Sequence, residues 1–290
     1  MLKNISRSWD LFKASCAVLI HNKSLIVYPL YAALVSLLLF ASFIVPILFP
    51  STFNIKLQGS SVFVLLLALG FLFYLIQYFI VLFFNAALIG AALMHLEGGE
   101  PTVADGLAIA KSNFMNILGY ALIASTVGVF LQLIANRLNF IGRLFVGSFG
   151  IAFSVATFLT VPILVSRNVG PIDAINESAA LLKKIWGQSV VGSAGMGVVF
   201  LLFYVLLILF GTWLFTIAES TNNLKLFNIL FVAVPALLIL AALIHTTLQG
   251  IYSAAVYLYA TESNNTGYFS DSLLENTFVV NKNLGARPYI

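Results

Sequence analysis

The chain has 290 residues, of which 61% are apolar and only 8% are charged, and its formal net charge is +4. Its mean hydropathy is +1.05, whereas soluble domains carry about 25% charged residues. This composition excludes a large soluble domain and indicates a polytopic membrane protein. The single cysteine, Cys16, excludes an intrachain disulfide and a thiolate metal cluster.

The first predicted element is an amphipathic helix over 10–24, followed by a first membrane span over 25–48. The apolar face of this amphipathic helix carries Trp9, Phe12, Cys16 and Leu19. A polar loop over 51–60 precedes a second span over 62–96, which contains no Asp, Glu, Lys or Arg. About 20 residues cross the hydrocarbon core. We therefore expect this helix to tilt, to break or to project beyond the bilayer.

A second amphipathic pattern covers 105–119, and its apolar residues are in register with the first: Leu107, Phe114 and Leu118. Thr102 is the predicted N-cap, with Asp105 at the third helical position, as in a capping box. Spans three and four are predicted over 117–134 and 144–165.

The third amphipathic pattern, over 173–187, is the most regular. One face carries Ile172, Ile175, Ala179, Leu182 and Trp186, and the other carries Asp173, Asn176, Glu177, Lys183 and Lys184. Span five is predicted over 190–218 and span six over 226–261. The sixth span is also uncharged and longer than a bilayer requires.

These elements predict an all-α membrane domain over 1–290 with three internal repeats, each an amphipathic helix followed by two spans. The repeats cover about 5–96, 102–166 and 171–262. A polar tail with a short helix occupies 263–290. Two crossings per repeat return the chain to the same side, so all three amphipathic helices share one side of the membrane.

The distribution of basic residues predicts which side this is. The side with the termini holds Lys3, Arg7, Lys13, Lys23, Lys111, Arg167, Lys183, Lys184, Lys282 and Arg287; the other side holds Lys56, Arg137, Arg143 and Lys225. By the positive-inside rule, both termini and the amphipathic helices are cytoplasmic.

Several stretches resemble a known family: 84–88, 96–102, 105–110, 170–174, and 178–182 with Trp186 and Gly187. They are similar to an uncharacterised bacterial family of integral membrane proteins, known as a domain of unknown function. That family is distantly similar to the membrane domain of some glycerophosphodiester phosphodiesterases. The resemblance implies a protein of the bacterial cytoplasmic (inner) membrane. It supplies no activity and no catalytic residues.

The sequence contains no paired carboxylates, no metal-binding or nucleophile motif and no phosphate-binding loop. No Asp, Glu, Lys or Arg lies inside a predicted span, which weighs against a charge-coupled pump. We therefore expect no enzymatic activity, no metal and no cofactor.

Polar residues inside the predicted spans form one candidate cluster: His245, Thr246, Gln249, Gln77 and Asn85. One interpretation is a ligand-facing or proton-sensitive path. The favoured one is a neutral histidine and threonines that hydrogen-bond neighbouring helices, since polar side chains often join helices in membranes.

The favoured function is a non-enzymatic scaffold that binds lipids or partners through the amphipathic helices. Its candidate face is Trp9, Phe12, Leu107, Phe114, Ile175, Leu182, Trp186, Lys183 and Lys184. The expected partners are membrane lipids, other membrane or cytoplasmic proteins, or a second copy of the chain, but not nucleic acid. The alternative is a transporter or channel with a polar path near His245. An intramembrane lipid-modifying enzyme is disfavoured because no acid–base pair is visible.

Overall fold

A computed structural model describes residues 13–48, 60–186, 194–221 and 224–261, and the described chain is helical, without strands. Six helical segments within these ranges are long and apolar enough to cross a membrane, and the fourth of them, Phe140–Arg167, contains a break. The predicted class and number of spans are therefore confirmed by length and composition. Trp9, Phe12 and the tail over 263–290 lie outside the described residues, as do the side chains of Lys184 and Trp186.

The helices follow the order of the predicted segments. A short helix, α1, covers 13–21 in the described chain, and a 3-10 helix covers Lys23–Ile26. The remaining helices are α2 Val27–Leu48, α3 Ser60–Leu96, α4 Val103–Ser112, α5 Phe114–Ala135, α6 Phe140–Ala156, α7 Thr160–Arg167, α8 Pro171–Trp186, α9 Ala194–Ser220 and α10 Leu224–Ala260.

The chain divides into two compact units. The central unit is Val27–Leu182, and the terminal unit contains the described residues of Met1–Ile26 and Lys183–Ile290. In the central unit, α3 lies in the middle and contacts α2, α4, α5 and α7. In the terminal unit, α10 contacts α9 and the 3-10 helix.

The two longest helices, α3 and α10, each have 37 residues, or about 55 Å at about 1.5 Å per residue. The hydrocarbon core is about 30 Å thick. The last third of each helix is buried almost all round, over 86–93 in α3 and 250–258 in α10. Both helices continue unbroken, and a helix that is apolar on every side is stable when protein surrounds it. The extra length is therefore buried inside protein.

Span four is not the single helix predicted over 144–165, because it divides into α6 and α7 at 157–159. Pro162 has no N–H to donate to the preceding turn and disfavours a continuous helix. Tight turns replace the regular pattern, with the Thr160 N–H donating to the Thr157 carbonyl at 3.0 Å. The orphaned N–H of Leu159 instead donates to the Ser178 hydroxyl of α8 at 3.0 Å.

The helix predicted over 105–119 also divides, because α4 ends at Ser112 and α5 begins at Phe114. The Asn113 side chain donates to the Ile109 carbonyl at 3.1 Å, and such local bonds compete with the helix. Phe114 and Leu118 therefore belong to a span. The Phe114 ring packs edge-on against Phe79 at 5.0 Å between centroids.

Candidate functional site

The predicted capping box at the start of α4 is confirmed. The Thr102 N–H and hydroxyl donate to Asp105 Oδ2 at 2.8 and 2.7 Å, and the Asp105 N–H donates to Thr102 Oγ1 at 3.4 Å. These hydrogen bonds favour the carboxylate and lower the pKa of Asp105. The box fixes where α4 begins, on the short loop after α3.

Small residues hold α4 against the spans. A Cβ at Gly106 would lie 2.1 Å from the Tyr28 hydroxyl and 2.7 Å from the Ala87 carbonyl. Tyr28 is fully buried, and its hydroxyl donates to the Thr102 carbonyl at 3.3 Å. The packed face of α4 is therefore Gly106 with Ala110, whereas the predicted Leu107 is only half-buried.

The described part of α8 presents three different faces. The buried face contains Ala174, Ser178 and Leu182, each four residues apart. Ile172 is 64% exposed and shares an outer apolar face with the exposed Ala179 and the half-buried Ile175. At about 100° per residue, the third face is polar and exposed and carries Asp173 and Asn176. The exposed Lys183 lies only about 20° from Ile172, at the border between the apolar and polar outer faces.

The packed face of α8 is thus turned away from the centre of the predicted apolar stripe. Leu182 packs inward, but Ile172 and Ala179 remain on the surface. The reason is the close contact with the break in span four, which only a small hydrogen-bonding residue such as Ser178 satisfies. Sequence periodicity could not show this, because it measures apolarity and not which apolar residues find a neighbour.

Polar contacts fix both ends of the α7–α8 junction. Arg167 at the end of α7 forms an ion pair with Glu177 of α8. Asn168 has a left-handed backbone with φ 49°, and its Oδ1 accepts a hydrogen bond from Asn116 Nδ2 of α5 at 3.2 Å. Together these contacts tie α8 to the spans of the central unit.

His245 lies in the terminal unit, where its ring stacks on Phe200 with 4.1 Å between centroids. Its Nδ1 lies 3.4 Å from the Tyr204 hydroxyl. Sequence analysis did not identify these two aromatic partners, because they lie about 40 residues earlier in a uniformly apolar helix. The arrangement can hold a neutral imidazole within the helix pair α9–α10.

The threonines beside His245 bond to their own helix and not to neighbouring helices. Thr246 donates to the Ala242 carbonyl at 2.9 Å and Thr247 to the Leu243 carbonyl at 2.7 Å. Thr246 and Gln249 are exposed on the surface of α10. This is the usual way for threonine to satisfy its hydroxyl inside a helix, and it differs from the predicted bonds between helices.

The other two predicted polar residues, Gln77 and Asn85, lie in α3 of the central unit. Asn85 is half-buried, and Gln77 Oε1 is buried without a hydrogen-bond partner among the described residues. Each unit therefore holds part of the predicted cluster, and a common path for the five residues stays a prediction.

The helix break creates a further polar cluster, consisting of Tyr120, Thr157 and Thr160. The Tyr120 hydroxyl lies beside both threonine hydroxyls. Thr160 is fully buried, and its Oγ1 makes no hydrogen bond of good geometry with the part of the chain that is described. The signal for this cluster in the sequence was Pro162, which stands two residues after Thr160. Across the described ranges, no three His, Cys, Asp or Glu side chains group together as metal ligands would.

Comparison with known proteins identifies one family. The model of a family of unknown function, DUF6159, matches residues 61–268. No curated protein and no solved structure matches the chain.

Proposed function

The chain belongs to DUF6159, a family of unknown function, and we propose that it is a non-enzymatic membrane scaffold that binds lipids or partner proteins. The binding elements are the three short helices that precede the hairpins: α1, α4 and α8. The proposal includes three repeats of one such helix and two spans, in the cytoplasmic membrane of a bacterium, with both termini in the cytoplasm. The similarity to the membrane domain of some phosphodiesterases belongs to the same proposal.

The observation that carries this proposal is the three-faced surface of α8. Its inner face is held by Ser178, yet Ile172 and Ala179 remain exposed beside a polar face. An exposed apolar face next to a charged one is typical of a helix that lies in the membrane interface. The apolar face then contacts acyl chains or a partner, and the polar face contacts water.

The order of the helices supports the repeat part of the proposal. Each of α1, α4 and α8 precedes two candidate spans. The second helices of the first and third groups have the same length, 37 residues. In the middle group, the second span is α6 followed by α7, so a helix break stands where the other two groups have one long helix.

Spin-label accessibility tests the position of α8. Labels at residues 172, 173, 176 and 179, placed one at a time in a Cys16→Ala background, are measured in lipid nanodiscs with oxygen and with a water-soluble nickel complex. We expect the labels at 172 and 179 to be more accessible to oxygen than to the nickel complex. The labels at 173 and 176 should be more accessible to the nickel complex. A label at 174 is the buried control and should be inaccessible to both reagents. If the labels at all four surface positions were more accessible to the nickel complex than to oxygen, α8 would lie in water, and the proposal of an interfacial helix would be rejected.

The alternative function, a transporter or channel, is favoured by one observation. Non-helical backbone at membrane depth is tolerated where it is buried in protein or lines an aqueous cavity. Discontinuous helices also form many transporter binding sites. The break at 157–159 lies beside the buried Thr160 hydroxyl and near Tyr120, while His245 supplies an ionisable ring in the other unit.

Solute flux separates the two functions. The purified protein in proteoliposomes, loaded in turn with monovalent cations, protons and small neutral solutes, is compared with Thr160→Val and His245→Phe variants. A scaffold gives flux equal to that of empty liposomes for all three proteins. Flux above that background, which either substitution reduces, would establish the transport function instead.

A further inference from the structure

We propose that one water molecule is bound inside the break of span four, held by the Thr160 and Tyr120 hydroxyls and by the carbonyl of Ala156 at the end of α6. The site lies in the central unit, where α5 meets the break between α6 and α7. It does not involve the interfacial helices, and a single enclosed water is not a path for solutes. The site is therefore independent of both functions considered above.

The hydroxyl of Thr160 is a buried polar group that lacks its usual partner. Thr160 is fully buried, and its Oγ1 makes no hydrogen bond of good geometry within the described chain. Other threonines of the described helices donate to a carbonyl three or four residues earlier, as is usual: Thr126, Thr157, Thr212, Thr216, Thr246 and Thr247. For Thr160, the carbonyl four residues earlier belongs to Ala156, on the other side of the break. A buried hydroxyl without a partner is costly, so a ligand is expected here.

The break separates the same two residues in the backbone. In a continuous helix the Thr160 N–H would donate to the Ala156 carbonyl, but it donates to the Thr157 carbonyl at 3.0 Å. The Leu159 N–H donates to the Ser178 hydroxyl of α8 at 3.0 Å. The Ala156 carbonyl therefore loses its regular donor at the point where Thr160 loses its regular acceptor. A water that inserts into the helical ladder is one of the established causes of such interruptions.

Tyr120 of α5 supplies a second hydroxyl. It lies beside the hydroxyls of Thr157 and Thr160. The Thr157 hydroxyl already donates to the Phe153 carbonyl at 2.9 Å, whereas that of Thr160 does not bond to its own helix. A ligand beside Thr160 therefore meets the Tyr120 hydroxyl as its next partner. Tyr120 is only 5% exposed, and α3 contacts both α5 and α7, so the site is enclosed by protein.

The absence of charge around the break selects a neutral ligand. No Asp, Glu, Lys or Arg occurs over 60–96, 112–136 or 144–166, which include α3, α5 and the break. An ion would be buried there without a countercharge, which is strongly unfavourable. The end of α6 offers a carbonyl acceptor and Thr160 offers a hydroxyl, so the ligand must both donate and accept. Water does both, and a buried water typically makes about three hydrogen bonds, the number of partners proposed here.

Solid-state NMR of the full chain in lipid bilayers tests the proposal. Magnetisation is transferred from water protons to isotope-labelled threonine and tyrosine side chains, and the Thr160 signal is assigned by its loss in Thr160→Val. We expect transfer to both Thr160 and Tyr120. The matched control is Thr247, which is fully buried but already donates to the Leu243 carbonyl at 2.7 Å, and it should receive none. A Thr160 signal as dry as that of Thr247 would overturn the proposal.

Substitutions at Thr160 test whether its hydroxyl holds the water. Thr160→Val removes the hydroxyl and keeps the branched shape, and we expect the transfer from water to Tyr120 to be lost. Thr160→Ser keeps the hydroxyl and should retain the transfer. Thr126→Val removes a hydroxyl that is bonded within its own helix, and it should leave the Tyr120 signal unchanged. If Thr160→Val does not fold, Tyr120→Phe replaces it, with the loss measured at Thr160. Undiminished transfer to the remaining hydroxyl in either variant would also overturn the proposal.

Discussion

At the scale of single residues, this membrane protein depends on positions where the backbone is approached closely. Gly106 lets α4 lie against Tyr28 and Ala87, and Ser178 lets α8 satisfy a backbone N–H of span four. A hydropathy pattern does not identify Gly106 or Ser178, because neither residue is strongly apolar. Both are small, and each contact tolerates little added volume or lost polarity.

Substitution of Gly106→Ala should destabilise the protein by about 1–3 kcal/mol, the usual cost of overpacking. The added methyl group would overlap the Tyr28 hydroxyl and the Ala87 carbonyl. Thermal unfolding in detergent measures the effect. Gly70→Ala is the matched control, because a Cβ there meets no atom within 4 Å, and it should be neutral or slightly stabilising. Equal melting temperatures for the two variants would contradict the packing of α4.

Substitution of Ser178→Ala should cost about 1–3 kcal/mol, since it leaves the buried Leu159 N–H without an acceptor. Loss of this particular hydrogen bond should also be detected as faster hydrogen exchange of the Leu159 amide, measured at single-residue resolution by mass spectrometry with fragmentation. Ser42→Ala, which removes a hydroxyl bonded only within its own exposed helix turn, should leave exchange at Leu159 unchanged. Exchange that stays slow in Ser178→Ala would show that another group holds the break.

At the scale of elements, the short helices differ more from one another than their sequence patterns indicate. The helix α4 is capped at its start by the Thr102–Asp105 box and ends at Ser112, after only ten residues. The helix α8 runs for 16 residues and keeps an exposed apolar face. If both lie at the interface as proposed, α8 has the larger surface to offer a lipid or a partner.

The capping box makes the stability of α4 dependent on pH. Its hydrogen bonds place the folded pKa of Asp105 below the unfolded value, which is about 4. The stabilisation is therefore complete above the unfolded pKa and is lost as the pH falls through the folded pKa. We expect the melting temperature to fall between pH 5 and pH 3, and to fall less in Asp105→Asn. Thr102→Val should flatten the same profile because it removes the hydroxyl that donates to Asp105. A wild-type slope in both variants would assign the acid sensitivity to another group.

At the scale of the whole molecule, six apolar candidate spans are distributed over two compact units. The central unit uses the buried end of α3 as its axis, and the terminal unit uses the buried end of α10. In both cases the length beyond the bilayer core is covered by protein, so a long helix here provides packing surface and not a free stalk.

The orientation of the molecule is tested by labelling cysteines in intact cells with a membrane-impermeant maleimide. A cysteine in place of Arg137 should be labelled from outside. A cysteine in place of Lys111, in the last turn of α4 just before α5, should be labelled only after lysis, and one in place of Lys183 should behave in the same way. Cys16 is changed to Ala first, although burial raises the pKa of its thiol and so slows its reaction. External labelling at 111 and 183, with protection at 137, would reverse the proposed topology.

The sequence by itself determined the class, the number of candidate spans and the capping box, because hydropathy and capping depend on residues close together in the chain. Only the tertiary structure decided where span four breaks, which face of α8 packs, and that His245 stacks on Phe200. These features depend on partners that are distant in sequence and equally apolar. In a chain that is apolar on nearly every face, hydrophobicity identifies the helices but does not choose their neighbours; close contacts at small residues and a few buried hydrogen bonds do.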